Sequence, residues 1–380
     1  MSEVARLAQR AREEGRVGID TEFMPEGRYK PLLCLIQLAV SDEIVVLDPI
    51  TDDEDFSPLA EVLADPEVEI VLHAGRQDVA ILRREWNTDI NNVFDTQVAA
   101  GFAGFAAQAG YGNLLADVLG VRLNKTASFT RWDARPLTEE QLSYAREDVE
   151  HLLALSDEIK QRLQNTGRLE WAREECLVLA EASDERNAQE VWRRLPRALG
   201  LSARDRAVAQ ELAAWREETA RCEDRPVGSI VRDPTLLELV KRQPRDVKAM
   251  NAIRGINPDV VRRRGKDIVA AIERGHAAPP LQVEKEDRVA NDQGDGPVIA
   301  LAEALVRQRA LEAGLAYELI AARADLSPIV ACVRRGLAEP AVRTLSGWRR
   351  ELVGAELLEL LRGHRTLGVS SDGRVEITNP

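Results

Sequence analysis

Residues Leu32–Val40 read LLCLIQLAV, a nearly unbroken apolar run of strand length. A run of that kind suits a strand buried on both faces, with neighbours at its edges and helices above and below. Shorter β-rich runs flank it at Val17–Asp20 and Glu43–Asp48, and a fourth follows at Glu69–His73. Helical patterns are predicted at Pro58–Leu63, at Asp78–Trp86, at Thr96–Phe105 with Asp95 as its N-cap, and at Thr138–Leu163. Three strands, then helices around a further strand, predict an α/β domain with a mixed rather than a purely parallel sheet.

After Gly167 every segment reads helical. A helix pair (Leu169–Asp184, Glu190–Leu195) leads into a block from Ser202 to Gly275, broken at Pro226, Pro234, Pro244 and Gly255. Pro279, Pro280, Glu284, Glu286, Asp287, Asp292 and Asp295 then mark a flexible acidic linker. A second helical block of similar length runs from Pro297 to about Gly363, and the last residues, Val369–Pro380, form a small hairpin or fray. The expected division is 1–167 for the α/β domain, 168–201 for a helical connector and 202–276 for a first helical domain. A linker at 277–296, a second helical domain at 297–370 and a tail at 371–380 complete it.

Composition narrows the classes of function. Aromatic residues are 4% of the 380, too few for a surface of stacked aromatic platforms. Cys34, Cys176, Cys222 and Cys332 are scattered with no CxxC pair, which suits a reducing cytoplasm rather than a disulfide scaffold or zinc ribbon. The first fifteen residues read as a charged amphipathic stretch, not a signal peptide, and no apolar run is long enough to span a bilayer. A cytoplasmic protein without a membrane partner is expected. Net charge is −13, yet residues 226–275 hold eleven Lys/Arg against six acids. That segment is either a phosphate-binding surface or an ordinary solvated helix face.

The chemistry gathers around acids. Asp20 and Glu22 lie two apart at the end of the first strand, so both leave the same face with stems about 6.6 Å apart. Asp78 opens a helix just after a strand, and Tyr144 and Asp148 share one helix face at i, i+4 spacing. Taken singly, Asp78 reads as a helix N-terminal acid, Asp148 as a surface acid and Tyr144 as a half-buried aromatic. Four carboxylates in one cleft would repel one another by about 4 kcal/mol per pair at ~4 Å and an effective dielectric near 20. A fold would gather them only around divalent cations, and a set of hard oxygen ligands selects Mg²⁺ or Mn²⁺ over zinc. Two such ions suit phosphodiester hydrolysis. Tyr144, with an ordinary pKa near 10, is suited to positioning rather than proton abstraction.

Asp20-Thr21-Glu22, Asp78 and Tyr144 with Asp148 resemble the three exonuclease motifs of the DEDD superfamily, in its tyrosine-bearing subgroup. The stretches IDTEFMPEGRYKPLLCLIQLA, VLHAGRQD, FDTQVAAGF and RPLTEEQLSYAREDVEHLL are closer still to the ribonuclease D family. Trp215-Arg216-Glu217, Pro226, Leu236–Leu239 and Ile253-Arg254-Gly255 resemble the HRDC domain, a helical nucleic-acid-binding module. Residues 297–370, with Leu345-Ser346-Gly347-Trp348-Arg349, resemble a second, more diverged one. The resemblance implies a ribonuclease H-like exonuclease domain followed by two all-α HRDC-like domains. It further implies 3′–5′ polarity, RNA as partner (tRNA precursors above all), nucleoside 5′-monophosphates as products and a monomer. By the same resemblance Asp20, Glu22 and Asp148 hold one catalytic ion, Asp20 bridges to the second, Asp78 reaches that ion directly or through water, and Tyr144 orients the attacking water.

Substrate contacts are less sharply drawn. Lys125, Arg131 and Arg135 precede the Tyr144 helix and are either phosphate contacts or surface ion pairs. The family pattern has an acid before the tryptophan, whereas here the order is Arg131-Trp132-Asp133, which leaves Asp133 without a role. His73 reads first as a strand-end structural histidine and second as a substrate contact. Phe23 and Met24 border the cleft against a terminal base or fill core. A DNA 3′–5′ exonuclease is the competing enzyme, although no G-x-x-x-x-G-K-[ST] loop accompanies the motifs. An RNA-binding protein on an inactive nuclease scaffold is disfavoured by the presence of all four acids and the tyrosine.

Overall fold

The structure, a computed structural model, describes residues 2–123, 131–253, 255–282, 294–371, 373 and 375–379. The chain opens on helix α1 (Glu3–Glu14), with Ser2 as N-cap and Gly15 in the left-handed region as its stop. Val4, Leu7, Ala8 and Ala11 form its buried stripe. Strands β1 (Arg16–Met24), β2 (Leu32–Val40) and β3 (Glu43–Leu47) follow, then α2 (Ser57–Ala64), β4 (Glu69–Leu72), α3 (Arg76–Trp86), β5 (Val93–Asp95) and α4 (Thr96–Phe102). The sheet order is β3-β2-β1-β4-β5, antiparallel through β3, β2 and β1 and parallel through β1, β4 and β5. The mixed sheet expected from the sequence is therefore present, with LLCLIQLAV inside it and buried along nearly its whole length. Strand β5 and helix α1 add to the expected elements: three residues carry no period, and the amphipathic N-terminal stretch is a full helix.

β1 pairs with β2 as far as Met24 but with β4 only over Arg16–Gly18. Past Gly18 the two parallel strands part. Their carboxyl ends open a crevice where the chain leaves β1 toward β2 and β4 toward β5, the position at which open α/β sheets place their sites. One face of the sheet packs on α1, α2 and α3. The other is covered by α6 (Glu139–Glu150) and α7 (Leu152–Asn165), after the short α5 (Tyr111–Leu114). The single helix expected over Thr138–Leu163 is two, interrupted at His151. Buried Val149, Leu152, Leu153 and Leu155 continue the apolar pattern across the break, so no Pro or Gly signals it.

Helix α8 (Leu169–Ala180) and a 3₁₀ turn at Val191–Arg194 lead to α9 (Ala203–Cys222), α10 (Val227–Ile230), α11 (Asp233–Arg242) and α12 (Pro258–Ala277). These helices enclose their own core of Trp192, Leu212, Leu236, Leu239, Ile268 and Ile272. The loop after β1 is tied to this unit: the Tyr29 hydroxyl donates to Glu217 at 2.8 Å and Arg28 pairs with Asp224 at 2.9 Å. Helices α13 (Asp295–Ala313), α14 (Tyr317–Ile320), α15 (Arg323–Arg335), α16 (Gly347–Arg349) and α17 (Ala355–Leu361) form the second block. The hairpin of β6 (Thr366–Val369) and β7 (Val375–Thr378) closes it.

This second block does not stand apart. Leu305, Val306, Ile329, Trp348 and Leu357 share one apolar cluster with Phe94, Phe102, Leu155 and Ile159 of the α/β domain. The Trp348 ring stacks on Trp171 at 5.3 Å and meets Phe102 edge-on at 5.0 Å. Most of the linker expected at 277–296 lies outside the described residues, as does Lys125.

Candidate active site

Alternation along β1 sends Asp20 and Glu22 to the face covered by α6. Helix α6 begins in a capping box: the Thr138 hydroxyl accepts from the Gln141 amide at 3.2 Å, and the Gln141 side chain accepts from the Thr138 amide at 3.0 Å. Gln141, Ala145 and Val149 then form the buried stripe of α6. Asp148 is thereby held over β1. One carboxylate oxygen each from Asp20, Glu22 and Asp148 falls within 4.8 Å of the others. Tyr144, one turn earlier, hydrogen-bonds Asp148 through its hydroxyl. Its ring lies 5.9 Å from that of Trp132, in a cluster with Met24, Leu35 and Ala145.

Asp78 arrives from the β4 side, in the first turn of α3 and 7% exposed. Its carboxylate accepts a hydrogen bond from the Thr21 hydroxyl, which ties it to the strand between Asp20 and Glu22. The loop that delivers it is held by Asp95, whose carboxylate accepts from the amides of Ala74 (3.2 Å), Gly75 (2.8 Å), Gln97 (2.8 Å) and Val98 (3.1 Å). Gly75 is required there, because a Cβ would come within 2.7 Å of the Leu72 Cβ. The N-cap role of Asp95 was legible in FDTQ. Its hold on the Asp78 loop, and the Thr21 bond, depend on tertiary contacts that no local pattern carries.

The site disfavours its own charge. Burial first, then the charges of Asp78, Asp148 and Glu22, hold Asp20 well above the ordinary carboxylate range. Burial, with Asp148 and Asp78, pushes Glu22 up to about 8. Burial and the neighbouring Glu147 raise Asp148 to about 7, against the lowering effect of the Tyr144 hydroxyl. Asp78 is likewise raised by burial, with the Thr21 hydroxyl opposing it. Tyr144 is raised by burial and by the acids around it, so the phenol stays protonated.

The remaining sequence-predicted contacts are placed unevenly. Met24 is buried against the Tyr144 cluster. Phe23 packs on the opposite side of the sheet, against the core beneath α1, α2 and α3, which accounts for it as core filling. His73 is half-buried, 3.0 Å from the Thr96 hydroxyl and tilted against Tyr111 at 5.4 Å, with burial lowering its pKa. That is the structural role. Arg131 is exposed and paired with Asp133 at 2.9 Å, which gives Asp133 a partner.

Arg135 takes the ion-pair alternative of its two readings. Its Nε and Nη atoms donate to both Asp48 oxygens and to the carbonyls of Trp132, Ala134 and Cys34, so its donors are spent inside the domain rather than on phosphate. Arg135→Ala should therefore destabilise the fold by about 2–4 kcal/mol, because Asp48 is left half-buried without its cation. Urea titration measures that loss. Of the eleven cations at 226–275, Lys241, Arg242, Arg262, Arg264 and Arg274 are engaged in ion pairs, which thins the expected phosphate surface.

Comparison with known proteins follows the same division. A 3′-5′ exonuclease family model matches residues 1–164, and an HRDC domain model matches 205–272. Ribonuclease D of Gluconacetobacter diazotrophicus is 36% identical over 366 residues, covering 96% of this chain and 92% of that protein. Ribonuclease D of Granulibacter bethesdensis is 34% identical over 377 residues, covering 98% and 93%. Among solved structures, Escherichia coli RNase D, described as an exoribonuclease involved in structured RNA processing, superposes with a TM-score of 0.82 at 28% identity. That match covers 94% of this chain and 96% of the other. A Bifidobacterium adolescentis protein shares the fold at 22% identity, with a TM-score of 0.69.

Proposed function

The chain belongs to the ribonuclease D family of 3′–5′ exoribonucleases, and from that premise we propose that Asp20, Glu22, Asp78 and Asp148 form its metal-dependent catalytic centre. The observation that carries this reading is the convergence of three half-buried carboxylates within 4.8 Å, with Asp78 tied beside them. Burial and mutual repulsion both oppose the charges of Asp20 and Glu22, a cost that bound cations would offset. An all-oxygen donor set of this charge fits two Mg²⁺ or Mn²⁺ ions, which when bound would activate a water and stabilise the leaving oxygen.

The residues themselves supply position. Asp20 and Glu22 are fixed by the β1 ladder, Asp148 by the capped helix, and Asp78 by Thr21 and the Asp95 loop. The Tyr144 phenol, kept protonated, orients the attacking water. In the reaction, water oxygen bonds to the phosphorus of the last internucleotide linkage, the bond from that phosphorus to the preceding 3′ oxygen breaks, a proton given up by the water ends on that oxygen as a new 3′-hydroxyl, and a nucleoside 5′-monophosphate leaves. Tyr144→Phe keeps the ring and removes the hydroxyl, so kcat should fall about ten- to hundredfold with little change in KM.

The substrate we assign is the 3′ end of structured RNA, tRNA precursors above all, held by the helical domains of a monomeric cytoplasmic enzyme. Support comes from the RNA-processing role described for the E. coli protein and from the HRDC match. The test is incubation of purified protein and Mg²⁺ with 3′-extended tRNA and with matched single-stranded DNA. Stepwise release of 5′-monophosphates from the RNA, stopped by EDTA, is expected. Faster digestion of the DNA would overturn the substrate assignment in favour of a DNA exonuclease.

The raised carboxylate pKa values also set a pH dependence. Acids whose folded pKa exceeds the unfolded value near 4 favour the folded state at low pH, and that contribution is lost as pH rises toward about 7 and about 8. The metal-free protein should lose stability across that window. The rise in Tm on adding Mg²⁺ should grow over the same range, as calorimetry at stepped pH would show.

A further inference from the structure

One polar side chain on the acid-bearing face of the sheet is buried without any hydrogen bond. Gln37 of β2 is fully buried, and neither its amide nitrogen nor its carbonyl oxygen has a partner. It interrupts an otherwise apolar strand. Leaving such groups unpaired is costly, and an apolar residue of the same shape would avoid that cost. The side chain is therefore poorly explained by packing.

Register places it. Gln37 stands directly across the ladder from Asp20, and opposed residues of an antiparallel pair leave the same face with Cβ atoms about 4.5–5.5 Å apart. Its neighbour on the other side is Val46 of β3, which offers no polar group. On the same face of β2, Leu35 packs with Ala145 and Tyr144, while Ala39 packs with Val149. Gln37 lies between these two contacts, under the turn of α6 that carries Tyr144 and Asp148. The amide is thus enclosed by the elements that build the acid site.

We propose that Gln37 is a positioning residue of that site: with a cation held by the acids, its carboxamide N–H, unpartnered in the structure, donates to the Asp20 carboxylate opposite and fixes which oxygen Asp20 presents. The inference rests on the metal-centre reading above. A hydrogen bond from behind orients a ligating carboxylate, and losing such a partner typically weakens metal affinity about ten- to hundredfold.

The test pairs two readouts in Gln37→Met, which keeps the length and removes the amide. Mn²⁺ affinity by titration calorimetry should fall about ten- to hundredfold. The metal-free Tm should hold or rise, since an unpaired buried amide is gone, and turnover should recover at saturating Mn²⁺. Unchanged Mn²⁺ affinity would overturn the proposal, whatever the Tm. Should Gln37→Met fail to fold, Gln37→Leu is read by the same criteria, and failure of both assigns Gln37 to the core and overturns it. The wild-type protein and Asp148→Asn separate the two levels of the argument. If wild type binds no Mn²⁺ at the acids, the metal-centre reading itself fails. If wild type binds, Asp148→Asn does not and Gln37→Met binds normally, only the role of Gln37 fails.

Discussion

Asp20→Asn is expected to lower exonuclease turnover by at least about a thousandfold, as the loss of a central charge-stabilising group does, while the metal-free protein becomes more stable. Asp20 is the most encumbered of the four acids: burial, Asp78, Asp148 and Glu22 all oppose its charge. Asparagine keeps the shape and removes the charge. Each kcal/mol of repulsion relieved at alkaline pH should raise Tm by about 2–4 °C. Gain in stability with loss of activity is the signature of a site kept for function at a structural cost. A variant that lost both together would instead make Asp20 a folding residue.

The second large effect concerns how the chain is held together. Trp348 is 1% exposed, sandwiched between Phe102 and Trp171, and its indole N–H donates to Glu175 at 3.0 Å. Arg349 pairs with the same carboxylate. Trp348→Ala removes the ring where the second helical block meets the α/β domain, and a buried Trp→Ala change costs about 3–5 kcal/mol. Because Leu305, Ile329 and Leu357 share that core with Phe94 and Leu155, both units should lose stability together. Urea unfolding followed by activity and by helicity would give coincident, shifted transitions. Activity that survived while helicity alone was lost early would show that the cores are separate.

These two sites differ in how far the sequence discloses them. Asp20, Glu22, Tyr144 and Asp148 are legible because strand and helix periods are local, and the period alone puts each pair on one face. Asp78 is legible as a helix-start acid, yet its place beside the others depends on β1 and β4 parting after Gly18, which is a property of the sheet. Arg135 shows the opposite case: a guanidinium near a nuclease motif looks like a phosphate ligand until Asp48, far away in sequence, takes it. The shared core around Trp348 was invisible for the same reason. Helical periodicity shows that a face is apolar, but not which domain will cover it.

Crystals of the protein soaked in Mn²⁺, measured at the manganese absorption edge, test the central claim most directly. The account predicts anomalous peaks among the carboxylates of Asp20, Glu22 and Asp148 and between Asp20 and Asp78, lost in Asp148→Asn or Asp20→Asn crystals. Manganese bound only elsewhere, in an enzyme that still digests RNA, would contradict it.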